Sequence, residues 1–345
     1  MINLIANRDS QADEFSWPSE RRCDADQAAL LLRCSKLRDA SLWNRWRKAN
    51  PDEEIWLQGA DLAGAHLEYM WLHGAHLEGA SLNGARLKHA WLRGAHLRGA
   101  KLQQAWLLWA CLRGVWAERA DLSEARLEWS DMSEAHLERA GFNEAHLEWA
   151  DLSEAHLEEA SFRGAHLERA ILLGAYLKGA HLREAHLHRA ILAGARLAGA
   201  DLTGAHLEMA NLHAADLAGA RLLGVHLEGT DLSGGCLRGA YVREARMDGA
   251  RLHGVNLEGA KLHGVCLEAA CFSAAIVDDE TLLDDKCTVD DKTDFTGVGL
   301  GRCRMTPALR RALEDNVRRR RRLTDAHHPG WRRPFRQFVR AFWQI

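Results

Sequence analysis

Ala60-Asp61-Leu62-Ala63-Gly64 opens a run of pentapeptides that closes, at the forty-third unit and without one insertion, on Ala270-Cys271-Phe272-Ser273-Ala274. Numbering each unit about its central residue i, Ala stands at i−2 in 35 of the 43 units and Leu at i in 36, while i−1, i+1 and i+2 vary and carry the charge. Side chains alternate faces along an extended chain, so the Ala and Leu of one unit share a side. A five-residue unit then needs a bend before the next begins, and Gly, Glu or Arg at i+2 sits there. No unit can bury its Leu alone; stacking closes a continuous core, and the end units need caps. A helix is excluded, because period 5 would wind the Leu positions around a 3.6-residue helix rather than form one stripe.

Ala120-Asp121-Leu122-Ser123-Glu124, Ala200-Asp201-Leu202-Thr203-Gly204 and Ala210-Asn211-Leu212-His213-Ala214 resemble the A(D/N)LXX consensus of pentapeptide repeat proteins. The resemblance implies an all-β solenoid, a right-handed quadrilateral β-helix with four units per coil and with i and i−2 facing inward. On that geometry the 43 units make about eleven coils, stacked at ~4.8 Å into a rod roughly 50 Å long. Departures are local. Val115 and Ala117 reverse the usual small and large residues, and Val225, Thr230, Gly235, Val255 and Val265 replace Ala.

The flanks divide the chain further. Residues 1–23 mix charge with little apolar periodicity and read as disordered. Residues 24–59 read as a helical cap and lead-in, a helix starting at Asp24 or Asp26, running through Leu31, Leu42, Trp43 and Trp46, and stopped by Asn50-Pro51; the two Trp would cover the first coil. The repeat spans 60–275, an acidic linker or last-coil cap 276–301, and a basic helical tail 302–345. In the tail thirteen Arg face three acids. Thr306 and Pro307 predict a helix start. Trp331, Arg332, Arg333, Phe335, Arg336, Phe338, Phe342 and Trp343 form a basic amphipathic stretch that suits a last-coil cap or self-association, an anionic membrane surface or a protein partner, and less well nucleic-acid phosphates.

Composition places the chain in the cytoplasm, with a peripheral position on the inner membrane face open to it through the tail. The net charge is −3, no apolar run is long enough to cross a bilayer, and no signal peptide is evident. Eight Cys without a CxxC pair suit free thiols in a reducing compartment. No nucleophile elbow or phosphate loop stands out, and a convex rod offers no desolvated cleft to tune a catalytic pKa. Neither enzyme activity nor a cofactor is expected.

Residues 20 apart would stack on one face. His146, His166, His186, His206 and His226 form such a column, with Glu148, Glu168, Glu208 and Glu228 beside it; ring-to-ring spacing predicts a solvated His–Glu face, at most pH-sensitive, and no metal. The more informative column is Tyr69, His89, Trp109, Trp129 and Trp149, followed by Arg169 and Arg189. Trp106 and Leu108 share its face, and Trp71 and Trp91 flank it around the corner. Outward aromatics on this scale predict an interaction scaffold that docks a protein partner or a second copy. The alternative comes from resemblance to the quinolone-resistance pentapeptide proteins, which implies a DNA mimic seated in the DNA saddle of gyrase. Its candidate residues are Glu124, Asp131, Asp151 and Glu154, in a girdle (118–159) of 13 acids and 3 bases. The coils from Arg86 to Arg113 are basic instead, which disfavours a mimic, and nucleic acid itself is not an expected partner.

Overall fold

The computed structural model describes residues 23–284, 286–290 and 292–327. Pairing follows one rule over most of that length: each i−1 residue pairs in parallel with the residue 20 positions on, Trp56 with His76, Asp61 with Ser81, His66 with Arg86 and Trp71 with Trp91. Four pentapeptides therefore make one coil, a number that period 5 alone leaves open. The backbone ladder is complete at each step. The N–H of His76 donates to the Ile55 carbonyl (2.8 Å), and the N–H groups of Leu57 and Gly59 donate to the His76 and Glu78 carbonyls (2.8 and 2.9 Å). A turn bond closes each unit, as from Ala60 N–H to the Leu57 carbonyl (3.1 Å). The i+2 residue of that turn holds a positive φ, +63° at Gly59, which is the requirement of a type II turn. Pairing extends to three residues in β1 (Arg221–Leu223), β2 (Tyr241–Arg243) and β3 (Lys261–His263), with β4 (Leu282–Leu283) at the end of this parallel sheet.

The Ala and Leu columns form one buried core from Leu57 to Phe272. Where larger residues enter, they stack on their own kind, Phe142 on Phe162 at 4.9 Å. Polar residues in i−2 slots bond at once to the backbone: the Ser130 hydroxyl donates to the Leu127 carbonyl (2.7 Å) and Thr230 to that of Leu207 (2.8 Å), as burial requires. Val115 and Ala117 exchange sizes and both stay buried.

The helical lead-in is two helices, not one. α1 (Ala25–Leu37) starts at Asp24, whose carboxylate accepts from Gln27 N–H (2.9 Å), and stops at Arg38 in the left-handed region (φ +52°). Asp39 then accepts from the Ser41 N–H and hydroxyl and starts α2 (Ser41–Ala49). Such local side-chain bonds end one helix and nucleate another. Both helices offer the first coil what a preceding coil would. Gln27 accepts from Trp56 N–H, Ser35 from His66 N–H and Asn44 from Trp71 N–H, at 2.8–3.0 Å. Trp43 is fully buried, its indole N–H bonded to the Trp71 carbonyl.

At the other end the acidic stretch 276–301, expected as a linker or cap, continues the winding at a changed stride. Leu262 pairs with Leu283, Cys266 with Thr288, Cys271 with Asp294 and Leu282 with Arg304. A six-residue echo replaces the pentapeptide: Asp278 to Thr281, Asp284 to Cys287, Asp290 to Thr293. Each Asp accepts a backbone N–H from the coil below, Asp278 from Gly259 (2.9 Å), Asp284 from Gly264 (2.9 Å) and Asp290 from Ala269 (2.8 Å). Thr281 and Thr293 also turn inward onto the Leu257 and Leu267 carbonyls. α3 (Pro307–His327) lies against this last turn, burying Leu309 and Leu313, with Arg310 donating to the Leu300 and Cys303 carbonyls.

Candidate functional site

The turn residue decides what one corner of the rod displays. Glycine meets a positive φ freely, whereas a bulky side chain there is a marked outlier costing about 1–2 kcal/mol. Yet Tyr69 (+61°), His89 (+56°), Trp109 (+59°), Trp129 (+61°) and Trp149 (+62°) occupy five successive turns of this corner. Their rings stack in one column at 4.9, 6.3, 5.0 and 4.8 Å, and the Arg169 guanidinium lies 4.6 Å over Trp149. Stacking does not bury them: Tyr69, Trp109, Trp129 and Trp149 keep 57, 49, 44 and 41% of their surface exposed.

The other predicted residues fall around this column unequally. Trp106 is exposed on the adjoining flat face, between the guanidinium groups of Arg86 (5.4 Å) and Arg126 (5.2 Å), each within cation–π range. Leu108 is half-buried. Around the corner Trp91 is exposed and packs on Trp71 at 6.4 Å, while Trp71 is half-buried beneath the α2 contacts. The four acids of the girdle are not gathered. Twenty-residue pairing puts Asp131 and Asp151 in one column, Glu154 at the next corner and Glu124 across the rod. Asp131 and Asp151 already accept from Ser133 and Ser153, and Glu124 from Gln104. Trp331, Arg332, Arg333, Phe335, Arg336, Phe338, Phe342 and Trp343 lie outside the described residues.

A second ring column escaped sequence reading, although the same 20-residue step reveals it. Trp56, His76, His96, Trp116, His136, His156 and Tyr176 stack at 3.9–6.3 Å, and Arg196 lies 4.4 Å over Tyr176. In the expected His column, His146, His166, His186 and His206 stack at 4.8–5.2 Å, with His226 at 4.6 Å from His206. Less legible was the placement of the Glu residues. Each folds toward the His of its own unit, Nδ1 of His146 lying 3.2 Å from Oε1 of Glu148, and its other oxygen is shielded from water without an aligned donor. Five His–Glu–His sets hold their ligand atoms within 4.8 Å of one another, on His76/Glu78/His96, His136/Glu138/His156, His146/Glu148/His166, His166/Glu168/His186 and His206/Glu208/His226. Burial, then the neighbouring imidazoles, push His96 and His186 below the usual histidine range.

A family model for pentapeptide repeats matches the chain in 8 copies, over residues 80–115, 120–158, 160–197, 170–208, 195–234 and 236–273. Among solved structures, HetL, a pentapeptide repeat protein involved in heterocyst differentiation regulation from the cyanobacterium Nostoc sp., is 38% identical, covering 60% of this chain and 86% of its own, with a TM-score of 0.43. Rfr23, a pentapeptide repeat protein from the cyanobacterium Cyanothece, is 29% identical over 29% of this chain and 63% of its own (TM-score 0.24). QnrB1, a plasmid-mediated fluoroquinolone resistance protein, is 16% identical over 64% of this chain and 90% of its own (TM-score 0.26). The comparison with curated proteins found no match. The family's fold is a right-handed quadrilateral β-helix, and the 20-residue pairing step is that of four pentapeptides per coil. By the repeat matched over more than half of its residues, the chain belongs to the pentapeptide repeat family.

Proposed function

We propose that the chain is a non-enzymatic interaction scaffold whose aromatic corner docks a protein surface, that of a partner or of a second copy. The observation that carries this reading is the column Tyr69, His89, Trp109, Trp129 and Trp149, held at turn positions where glycine costs less, and left exposed in all but half-buried His89. A fold-only role would favour Gly there, as at Gly74, Gly94 and Gly114 on a neighbouring corner. Exposed Trp rimmed by Arg is the composition of an interface centre. Trp106 and Trp91 widen the docking strip, Trp71 and Leu108 border it, and Arg86, Arg126 and Arg169 supply its rim. The repeat acts as the rigid rod, residues 24–59 and α3 close its ends, and the tail from Trp331 offers a second contact to a partner or to an anionic membrane surface. No described helix is long and apolar enough to cross a membrane.

A second reading, the gyrase-directed DNA mimic, draws on the acidic coils 118–159. Duplex mimicry needs acid along much of the rod, and here Glu134 and Glu159 are spent on Arg113 (2.6 Å) and Arg139 (2.9 Å). One set of measurements separates the two. Trp109→Ser with Trp129→Ser should abolish partner capture or dimerisation while the melting transition stays cooperative, and the unaltered protein should leave gyrase supercoiling untouched. Unchanged association in the double variant overturns the docking strip. Gyrase inhibition that disappears on neutralising Glu124, Asp131, Asp151 and Glu154 establishes the mimic instead.

A further inference from the structure

The i+1 column beside the histidine ladder runs Glu128, Glu148, Glu168, His188, Glu208, Glu228. The single exchange of Glu for His at 188 changes what surrounds the next carboxylate. Nε2 of His188 lies 3.2 Å from Oε2 of Glu208, while Nδ1 of His206 and Nδ1 of His226 lie 3.3 and 3.8 Å from Oε1. Among the ion pairs of the described residues, no other carboxylate meets three imidazoles. Glu228, one coil on, is engaged by Arg246 at 2.9 Å and shares Nδ1 of His226, at 3.6 Å, with Glu208. Despite its short contact, Oε2 of Glu208 is shut off from water with no aligned hydrogen bond. Glu148, Glu168 and Glu228 share that shielded oxygen; what sets Glu208 apart is the third imidazole.

We propose that Glu208, His188, His206 and His226 form a site for one divalent transition cation of the zinc, cobalt or nickel type. Two ligands bound at ~2.1 Å to one tetrahedral ion stand about 3.4 Å apart; Oε1 lies 3.3 and 3.8 Å from His206 and His226, and Oε2 lies 3.2 Å from His188, so the carboxylate offers an oxygen to each side. The ligand atoms of His206, Glu208 and His226 already lie within 4.8 Å of one another, against a largest possible span of about 4.2 Å across one ion with such bonds. Closing the remainder takes a small side-chain rotation, and the backbone stays where its ladder holds it. His206 and His226 are inclined by 22°, against 3–5° for the pairs below them. Three imidazoles with one carboxylate suit zinc, cobalt, nickel or copper and exclude magnesium and calcium, which take oxygen donors. The proposal stands apart from the docking strip, which lies lower on the rod.

The test uses the full chain, stripped with a chelator and titrated with cobalt(II) and then zinc(II) by calorimetry and visible absorption. The expected result is a saturable cobalt site that zinc displaces, free of the near-ultraviolet thiolate band that ligation by any of the eight Cys would produce. Glu208→Gln, which keeps the shape of the side chain, and His188→Gln should each weaken binding at least tenfold, with unchanged far-ultraviolet circular dichroism. Glu124→Gln should have no effect. Equal affinity in Glu208→Gln overturns the site, as does a thiolate band on the bound cobalt. Equal losses in Glu148→Gln and Glu208→Gln also overturn it, since the ions would then be spread along the ladder.

Discussion

Trp129 is the ring whose replacement separates the two forces acting on the aromatic corner. It is sandwiched between Trp109 at 5.0 Å and Trp149 at 4.8 Å, both inclined by 5°. Two stacked contacts at about 0.5–1.5 kcal/mol each amount to about 1–3 kcal/mol. Against them stands the left-handed backbone at φ +61°, which costs a side chain about 1–2 kcal/mol. Trp129→Ala forfeits the stacking and keeps the strain, so it should lose about 1–3 kcal/mol. Trp129→Gly forfeits the same stacking but relieves the strain, offset by about 0.5–1 kcal/mol of unfolded-state entropy. The Gly variant should therefore be more stable than the Ala variant by up to about 1.5 kcal/mol, while remaining below the unaltered protein. The assay is urea unfolding followed by far-ultraviolet circular dichroism, compared as midpoints because repeat arrays need not unfold in two states. If Gly is as damaging as Ala, the turn stores no strain. If both cost more than about 4 kcal/mol, beyond what two stacked pairs supply, the column is a structural spine, and the argument from turn chemistry to docking fails.

Four further outcomes are expected. Asn44→Ala removes both side-chain bonds to the edge of the first coil, at the Tyr69 carbonyl and the Trp71 N–H, and should cost about 1–3 kcal/mol, with faster amide exchange at Trp71. Leu157→Ala, in the fully buried column, should cost about 2–5 kcal/mol and lower the melting temperature far more than any corner substitution. The Asp278 carboxyl is held below its ordinary range by the Gly259 N–H first and then by Thr281, so its contribution is complete above the usual carboxylate pKa and is lost as pH falls through the lowered value; Asp278→Asn should differ from the unaltered protein in neutral buffer and converge with it in acid, read as amide exchange at Gly259. Burial drives the Cys287 and Cys303 thiols up to about 11, so both should resist alkylation in the native protein while half-buried Cys111 and Cys271 react.

What could be read in advance tracks how much of the physics is periodic. The inward columns were legible because Ala and Leu recur every five residues, and the Tyr69–Trp149 and His146–His226 columns because 20 positions make a coil, although the column from Trp56 to Tyr176, on the same step, went unread. Arg38 and Asp39 were not, since the break between α1 and α2 depends on one carboxylate bonding two residues ahead. The last turn was hidden for another reason: its Leu and Val lose the five-residue rhythm, and the Asp–Thr echo that replaces it has period six, so composition suggested only an acidic linker or a cap. For the site, sequence placed the histidines on one face. It could not show Glu208 meeting three of them, because that depends on side chains reaching between coils.

Twenty-residue coils make this molecule sensitive to counting. Losing a whole coil would shorten the rod by one storey and return every column to its own vertical. Losing a single pentapeptide would leave the core just as well filled, since each unit brings its own small and large residue, but everything beyond the deletion would be turned by a quarter of the circumference. A cut of five residues between Trp149 and His188 would thus swing the histidine face onto a different side from the tryptophans, with little thermodynamic trace. The unbroken run from Ala60 to Ala274 keeps the faces of this rod in phase, an orientation no single side chain encodes.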